Sequence, residues 1–226
     1  MTTPSSASLP CLVFDLDGTL AETAPDLIGT LNQVLEEIKV PPIGFLQARE
    51  MIGTGARALI KLGLESHHIT ADDALLETLF HRFLALYEQR LCDETHLYPE
   101  TAVVLQALQK SGYRMAVCTN KMEKHSVMLL QQLGIAPFFK AICGRDSFAF
   151  YKPDPRHLIE TIRQAGGDPR HAIMIGDSIT DLDTARNAGL PSIGVTFGYT
   201  TTPMAELKPD RLITHYRELI QAIESL

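Results

Sequence analysis

The sequence predicts an α/β protein, a doubly wound parallel sheet with an inserted all-helical unit. Three features carry that expectation. From residue 98 to the end, short apolar β-prone runs alternate with amphipathic helical stretches, the pattern of repeated strand–helix units. Residues 25–97 keep a helical period with no strand-like run among them, far more chain than an ordinary connection needs. The first apolar run, Cys11-Leu12-Val13-Phe14, ends in Asp15-Leu16-Asp17-Gly18-Thr19. That places two acids at or just past the carboxyl end of a buried strand, the edge at which open α/β sheets bind ligands. The expected division is a disordered N-terminus over 1–10, an α/β core over 11–24 and 98–226, and a helical cap over 25–97.

Each element has its own signal. Residues 1–10 are Ser/Thr/Pro-rich and lack the basic and apolar regions of a signal peptide, so they read as a frayed end. Pro25-Asp26 opens a helix in which Leu27, Ile28, Leu31, Val34, Leu35 and Ile38 recur at spacings of three and four, and Pro41-Pro42 is expected to end it. From about Phe45 to Leu91 the helical period continues, with Leu75, Leu79, Phe83 and Leu86 read as cap core. Helices are then expected over 99–110, 122–133, 155–165 and 180–188, with Gly112, Gly134, Gly166-Gly167 and Gly189 as their stops. Strands are expected over 113–118, 141–144, 172–175 and 191–195, with a short one at 211–213 and a closing helix over 216–226.

Composition narrows the classes. The 226 residues are 45% hydrophobic and 21% charged, with a net charge of −7 and no long basic run, so nothing argues for nucleic acid. No apolar run reaches membrane-spanning length. Cys11, Cys92, Cys118 and Cys143 form no CxxC pair and read as buried thiols of a reducing compartment, with the cytoplasm as the default. His67-His68 lacks the ligand spacing of a zinc site.

Polar residues collect where the apolar runs end: Asp15 and Asp17, then Thr119-Asn120, then Asp177. Carboxyl ends of parallel strands share one edge, so these groups can converge. Lys152, between Tyr151 and Pro153, sits just before a helix start and can reach the same edge. Asp15, Asp177 and Asp181 form a hard-oxygen set suited to Mg²⁺ rather than zinc. Such an ion, with Lys152, offsets repulsion between carboxylates and a phosphoryl group to which Thr119 donates a hydrogen bond. One carboxylate can then attack phosphorus, and a second two residues on can serve as acid and then base.

Bland readings stand beside these. Asp177-Ser178 also suits a helix N-cap, Thr119-Asn120 a turn, and Lys152 or Arg57 a solvated surface. Gly53-Thr54-Gly55 is no dinucleotide fingerprint, because Ala58 replaces the third glycine and no strand precedes it. It reads as a turn opening a helix, whose amides could bind an anion and whose Arg57 could pair with a substrate carboxylate.

Four segments in order, Asp15-Leu16-Asp17-Gly18-Thr19, Cys118-Thr119-Asn120, Lys152-Pro153-Asp154-Pro155 and Gly176-Asp177-Ser178-Ile179-Thr180-Asp181, resemble the haloacid dehalogenase-like hydrolase superfamily. The position of the helical insert resembles that family's C1 cap on a Rossmann-like core. Asp17-Gly18-Thr19-Leu20 running into Ala24-Pro25-Asp26-Leu27, with Ile52-Gly53-Thr54-Gly55-Ala56-Arg57, looks like its phosphoglycolate phosphatase branch. Ala21-Glu22-Thr23 departs from the branch, where Asp-Ser is common. The resemblance implies Asp15 as nucleophile and Asp17 as general acid/base. It implies Mg²⁺ on Asp15, the Asp17 backbone carbonyl and Asp177, with Thr119 and Asn120 on the phosphoryl group. Lys152 would neutralise nucleophile and phosphate, and Asp181 would orient Lys152 or a metal-bound water. The partner is then a small phosphorylated metabolite, handled by a monomer or homodimer. Alternatives are a sugar-phosphate phosphatase or phosphomutase of the same superfamily, or a phospho-accepting signalling switch, for which the helical insert is a poor fit.

Overall fold

The computed structural model describes residues 9–49, 51–53 and 55–226. The expectation of a disordered start therefore lies, through residue 8, outside the described residues, as does Thr54. The chain runs β1 (Cys11–Phe14), β2 (Ala21–Glu22), α1 (Ala24–Glu37), α2 (Phe45–Arg49), α3 (Ala56–Glu65), α4 (Asp73–Gln89), β3 (His96–Leu97), α5 (Thr101–Lys110) and β4 (Arg114–Cys118). It continues with α6 (Glu123–Gln132), β5 (Ala141–Cys143), α7 (Pro155–Gln164), β6 (Ala172–Gly176), α8 (Ile179–Ala188), β7 (Ser192–Val195), β8 (Arg211–Ile213) and α9 (Leu219–Glu224).

Six strands form one sheet in the order β5-β4-β1-β6-β7-β8, and every neighbouring pair in it is parallel. From β1 the chain winds outward through β4 and β5, then crosses back to β6 and winds the other way. The order therefore reverses between β1 and β6, and a crevice opens beyond their carboxyl ends at such a switch point. Alternation within the strands sends side chains to both faces. Leu12 and Phe14 join one apolar cluster with α5, α6 and α9, and Cys11 and Val13 join another with α7. Burial on both faces explains why these strands read as uninterrupted apolar runs.

Helices α1 to α4 lie between β2 and β3, which pair antiparallel, Ala21 opposite Leu97 and Glu22 opposite His96. Their apolar faces meet through Leu27, Leu31 and Leu35 of α1, Leu59, Ile60 and Leu64 of α3, and Leu79, Phe83 and Leu86 of α4. A buried knot holds the return of the chain. The Asp26 carboxylate accepts hydrogen bonds from the Glu94 and Thr95 amides and the Thr95 hydroxyl, at 2.8–3.0 Å.

Several details differ from expectation. Leu75 is 37% exposed, and Leu76 takes the core position instead, in phase with the buried face of Leu79, Phe83, Leu86 and Tyr87. α1 ends at Glu37, before Pro41-Pro42, since Lys39 adopts φ +60° and the Val40 amide closes on the Leu35 carbonyl. The closing helix is split, with a 3₁₀ turn over 216–218 preceding α9. The β2–β3 pair was not expected, since two-residue strands carry no periodicity.

Candidate active site

The site grows out of the end of β1. The Asp15 amide continues the ladder to the Ile175 carbonyl at 2.9 Å, so the Asp15 carboxyl stands at the crevice between β1 and β6. Gly18 turns the chain away at φ +81°. A Cβ there would collide with the Asp177 carboxylate and come within 2.9 Å of the Tyr199 ring, so both conformation and space require glycine. Thr19 Oγ1 donates to Asp177 Oδ1 at 2.9 Å, and the Tyr199 amide donates to Asp177 Oδ2 at 2.8 Å.

Lys152, 2% exposed, reaches the same place from the segment before α7. Its Nζ lies 2.9 Å from Asp15 Oδ1 and donates to Asp181 Oδ1 at 2.5 Å. Asp181 is locked in turn, since its Oδ2 accepts from the Ser178 hydroxyl and amide in a capping box. The cap reading and the site reading of this segment thus hold together. Burial acts against the Lys152 ammonium, but Asp15 and Asp181 outweigh it and hold its pKa above the ordinary lysine range. Its backbone amide donates to Nδ1 of buried His157 at 3.2 Å. Burial and the nearby ammonium push that imidazole down to about 4, which keeps it neutral and able to accept.

Thr119 and Asn120 stand at the end of β4. The Thr119 hydroxyl oxygen accepts from the Lys121 amide at 3.2 Å, which leaves its O–H to donate. Asn120 Nδ2 donates to the Lys152 carbonyl at 3.1 Å, while its buried Oδ1 has no hydrogen-bond partner among the described residues. Asp17 turns away from the acid cluster. Both of its carboxylate oxygens accept from Lys121 Nζ, at 3.0 and 3.3 Å.

Asp15, Asp17, Thr119, Asn120 and Lys121 line one cleft of about 670 Å³, its open mouth included, and Leu27, Leu59, Phe80, Phe83, Leu84 and Tyr87 of the helical segment form its apolar side. Arg57 lines it too, but its guanidinium is ion-paired with Glu77 of α4 and lies 5.8 Å from the Phe80 ring centroid. The structure thus brings together Asp15, Asp177, Asp181 and Lys152, sets Asp17, Thr119 and Asn120 beside them, and holds Arg57 on the opposite wall. Sequence reasoning passed over Lys121, Arg145 and Tyr199. Lys121 directly follows Asn120 at a strand end, which is the signal that could have marked it.

The acid cluster fits a divalent cation. Asp15, Asp177 and Asp181 each offer an oxygen within 4.8 Å of the others, all buried, and one ammonium does not balance three carboxylates. Asp15 Oδ1 has the Lys152 ammonium as its positive neighbour, which it shares with Asp181. Burial, with help from Asp181 and Asp17, pushes the Asp15 carboxyl up to about 6. Burial, with Asp181 and Asp15 beside it, holds Asp177 well above the usual carboxylate range. Acids in this state are short of positive charge.

The pH consequence has a definite sign. A carboxyl raised in the fold binds its proton more tightly than in the unfolded chain. Its contribution to stability is full below about pH 4 and is lost as pH rises through about 6. The cation-free protein should therefore lose this contribution between those values, and Mg²⁺ should restore stability above them. At about a hundred times its Kd the ion should raise Tm by roughly 5–10 °C at pH 7.5. At pH 5 the rise should be smaller, and calorimetry at the two pH values checks it.

The sequence profile of the haloacid dehalogenase-like hydrolases matches residues 12–195. A phosphoglycolate phosphatase of Agrobacterium fabrum is 44% identical over 214 residues, 95% of this chain and 92% of its own. Another, of Mesorhizobium japonicum, is 42% identical over 94% of this chain and 93% of its own. The crystal structure of a predicted phosphoglycolate phosphatase from Haemophilus somnus superimposes with a TM-score of 0.88 at 29% identity, covering 96% of this chain and 99% of that one. With the sheet order, the acid cluster and these likenesses together, the chain belongs to the haloacid dehalogenase-like hydrolase family.

Proposed function

We propose that this protein is a Mg²⁺-dependent phosphomonoester hydrolase that works through an aspartyl-phosphate on Asp15, with phosphoglycolate as substrate. The observation that carries the reading is the meeting of Asp15, Asp177 and Lys152 in the β1/β6 crevice, with Asp17 two residues beyond the nucleophile. The choice of ester is supported by relatives of 44% and 42% identity that are named phosphoglycolate phosphatases. The four cysteines are all free thiols, which supports a reducing, cytoplasmic setting.

Asp15 attacks phosphorus as the ester P–O bond breaks, and Asp17 gives its proton to the departing alkoxide. Asp17, now a carboxylate, takes a proton from the water that attacks the aspartyl-phosphate, and inorganic phosphate leaves with Asp15 regenerated. Lys152 neutralises nucleophile and phosphoryl oxygens, and Asp181 fixes the ammonium. The Thr119 O–H donates to the transferring group. Asp15, Asp177 and the Asp17 carbonyl would hold Mg²⁺, which would supply the remaining positive charge against the phosphoryl oxygens. Leu27, Phe80 and Leu84 give the cleft an apolar wall against the reacting groups.

A screen of phosphorylated metabolites, with Mg²⁺ and after chelation, tests the reading. Phosphoglycolate should head the turnover list and chelation should abolish turnover. Preference for a sugar phosphate, or a need for a bisphosphate activator, would point to the related phosphatases or mutases. Arg57 is the proposed contact for the glycolate carboxylate, which must compete with Glu77 for the guanidinium. Arg57→Ala should raise KM for phosphoglycolate about tenfold and change it much less for an ester without a carboxylate. Equal rises for both esters would remove Arg57 from substrate recognition.

A further inference from the structure

Lys121 is a buried lysine that the mechanism above does not use. It is 8% exposed and stands three residues beyond the end of β4. Its Nζ makes every contact with a group of the cleft. It donates to both oxygens of Asp17, at 3.0 and 3.3 Å, and to the Tyr87 hydroxyl at 2.7 Å. The same ammonium lies 4.5 Å from the centroid of the Tyr87 ring. Tyr87 belongs to α4, in the segment between β2 and β3, and is fully enclosed. Its ring stacks on Phe83 at 5.8 Å and meets His125 edge-on at 5.8 Å.

The geometry points to Lys121 as the positioning residue for Asp17, held in place by the Tyr87 hydroxyl on the helical segment. The inference rests on the phosphatase reading and extends it to how the acid/base is aimed. The ammonium reaches both Asp17 oxygens, so when one of them carries the proton the other still accepts from Lys121 and orients the group, and an ammonium bonded to a buried phenol has little freedom of its own. Asp17 is only partly exposed and takes no other side-chain partner among the described residues. Its aim is therefore set by Lys121, and the aim of Lys121 by where α4 sits. The helical segment thus takes part in aiming the acid/base, because the Tyr87 hydroxyl and the Asp17 carboxyl share one donor.

The step at issue is the transfer of the Asp17 proton to the ester oxygen as the P–O bond breaks. An alkoxide leaving group depends on that proton, whereas 4-nitrophenolate departs without it. The ratio kcat/KM reports events up to loss of the alcohol, so it isolates this step. The experiment measures kcat/KM for wild type, Lys121→Met, Lys121→Arg and Tyr87→Phe on alkyl phosphates and on 4-nitrophenyl phosphate. Lys121→Met should lose about 100-fold on alkyl esters and less than about fivefold on 4-nitrophenyl phosphate. Lys121→Arg should recover part of the alkyl loss. Tyr87→Phe keeps the ring and its stacking, so it should fold normally, and it should show the same bias at about tenfold. A uniform loss across the esters in both Lys121→Met and Tyr87→Phe would overturn the positioning role, and would make Lys121 a contact to the phosphoryl group or to the fold. Absence of turnover by wild type on every ester would instead sink the phosphatase reading, and this inference with it.

Discussion

Replacing Asp15 by Asn should lower turnover on the order of 10⁴-fold or more while leaving the fold intact. The amide has the shape of the carboxyl but cannot displace an alkoxide at phosphorus. Its effect on stability should run opposite to its effect on rate. Asp15 is buried beside Asp181 and Asp17, and its carboxyl is already pushed up to about 6 by that setting. A neutral amide removes a charge that the cation-free crevice holds at a cost, and Lys152 keeps its bond to Asp181. At pH 7.5 the cation-free variant should therefore melt no lower than wild type, and its Tm should respond less to Mg²⁺. Turnover within tenfold of wild type would overturn Asp15 as nucleophile. A Tm far below wild type would show that the carboxylate stabilises the fold rather than straining it.

Replacing Lys152 by Met should damage both properties at once. The ammonium is 2% exposed and is paired with Asp15 and Asp181, of which Asp181 is wholly buried. Removing one member of a buried ion pair leaves the others uncompensated, at about 3–5 kcal/mol. For a chain of this size that is roughly 6–20 °C in Tm. On the proposed mechanism turnover should fall by at least about 10²-fold, since the charge assigned to neutralising the phosphoryl oxygens is lost. The two effects separate in the double variant Lys152→Met/Asp181→Asn. Removing the orphaned carboxylate should return part of the Tm and none of the turnover. Recovery of turnover would mean that Lys152 serves only to neutralise Asp181.

Much of this architecture was legible in the sequence because its strands are buried on both faces. β1, β4 and β6 read as short apolar runs, and residues such as Asp15, Thr119 and Asp177 stood out as polar groups that end them. Helix stops were legible where glycine supplies the left-handed residue, as at Gly189 with φ +68°, and missed where Lys39 does so. Leu75 and Leu76 could not be told apart by apolar character, since the packing of the Leu79, Phe83, Leu86 and Tyr87 face decides which one turns inward. The side chains that complete the site were hidden for a different reason. Lys121 meets Asp17 and Tyr87, and Tyr199 meets Asp177 and Thr23, across long stretches of sequence. No local period or spacing encodes a contact of that kind. Arg57 shows the reverse case. Its segment was singled out, yet the neighbour that engages it, Glu77, lies on another helix.

The two-rung ladder of β2 and β3 has a modular consequence. Ala21 and Leu97 are direct partners, so the insertion departs and rejoins at points only about 5 Å apart, the spacing of adjacent strands. A tight hairpin turn could bridge them. The intervening helices are thus attached by one pair of adjacent strands, although their buried side chains share an apolar core with those of the sheet. The scaffold is built like a socket whose two contacts sit side by side.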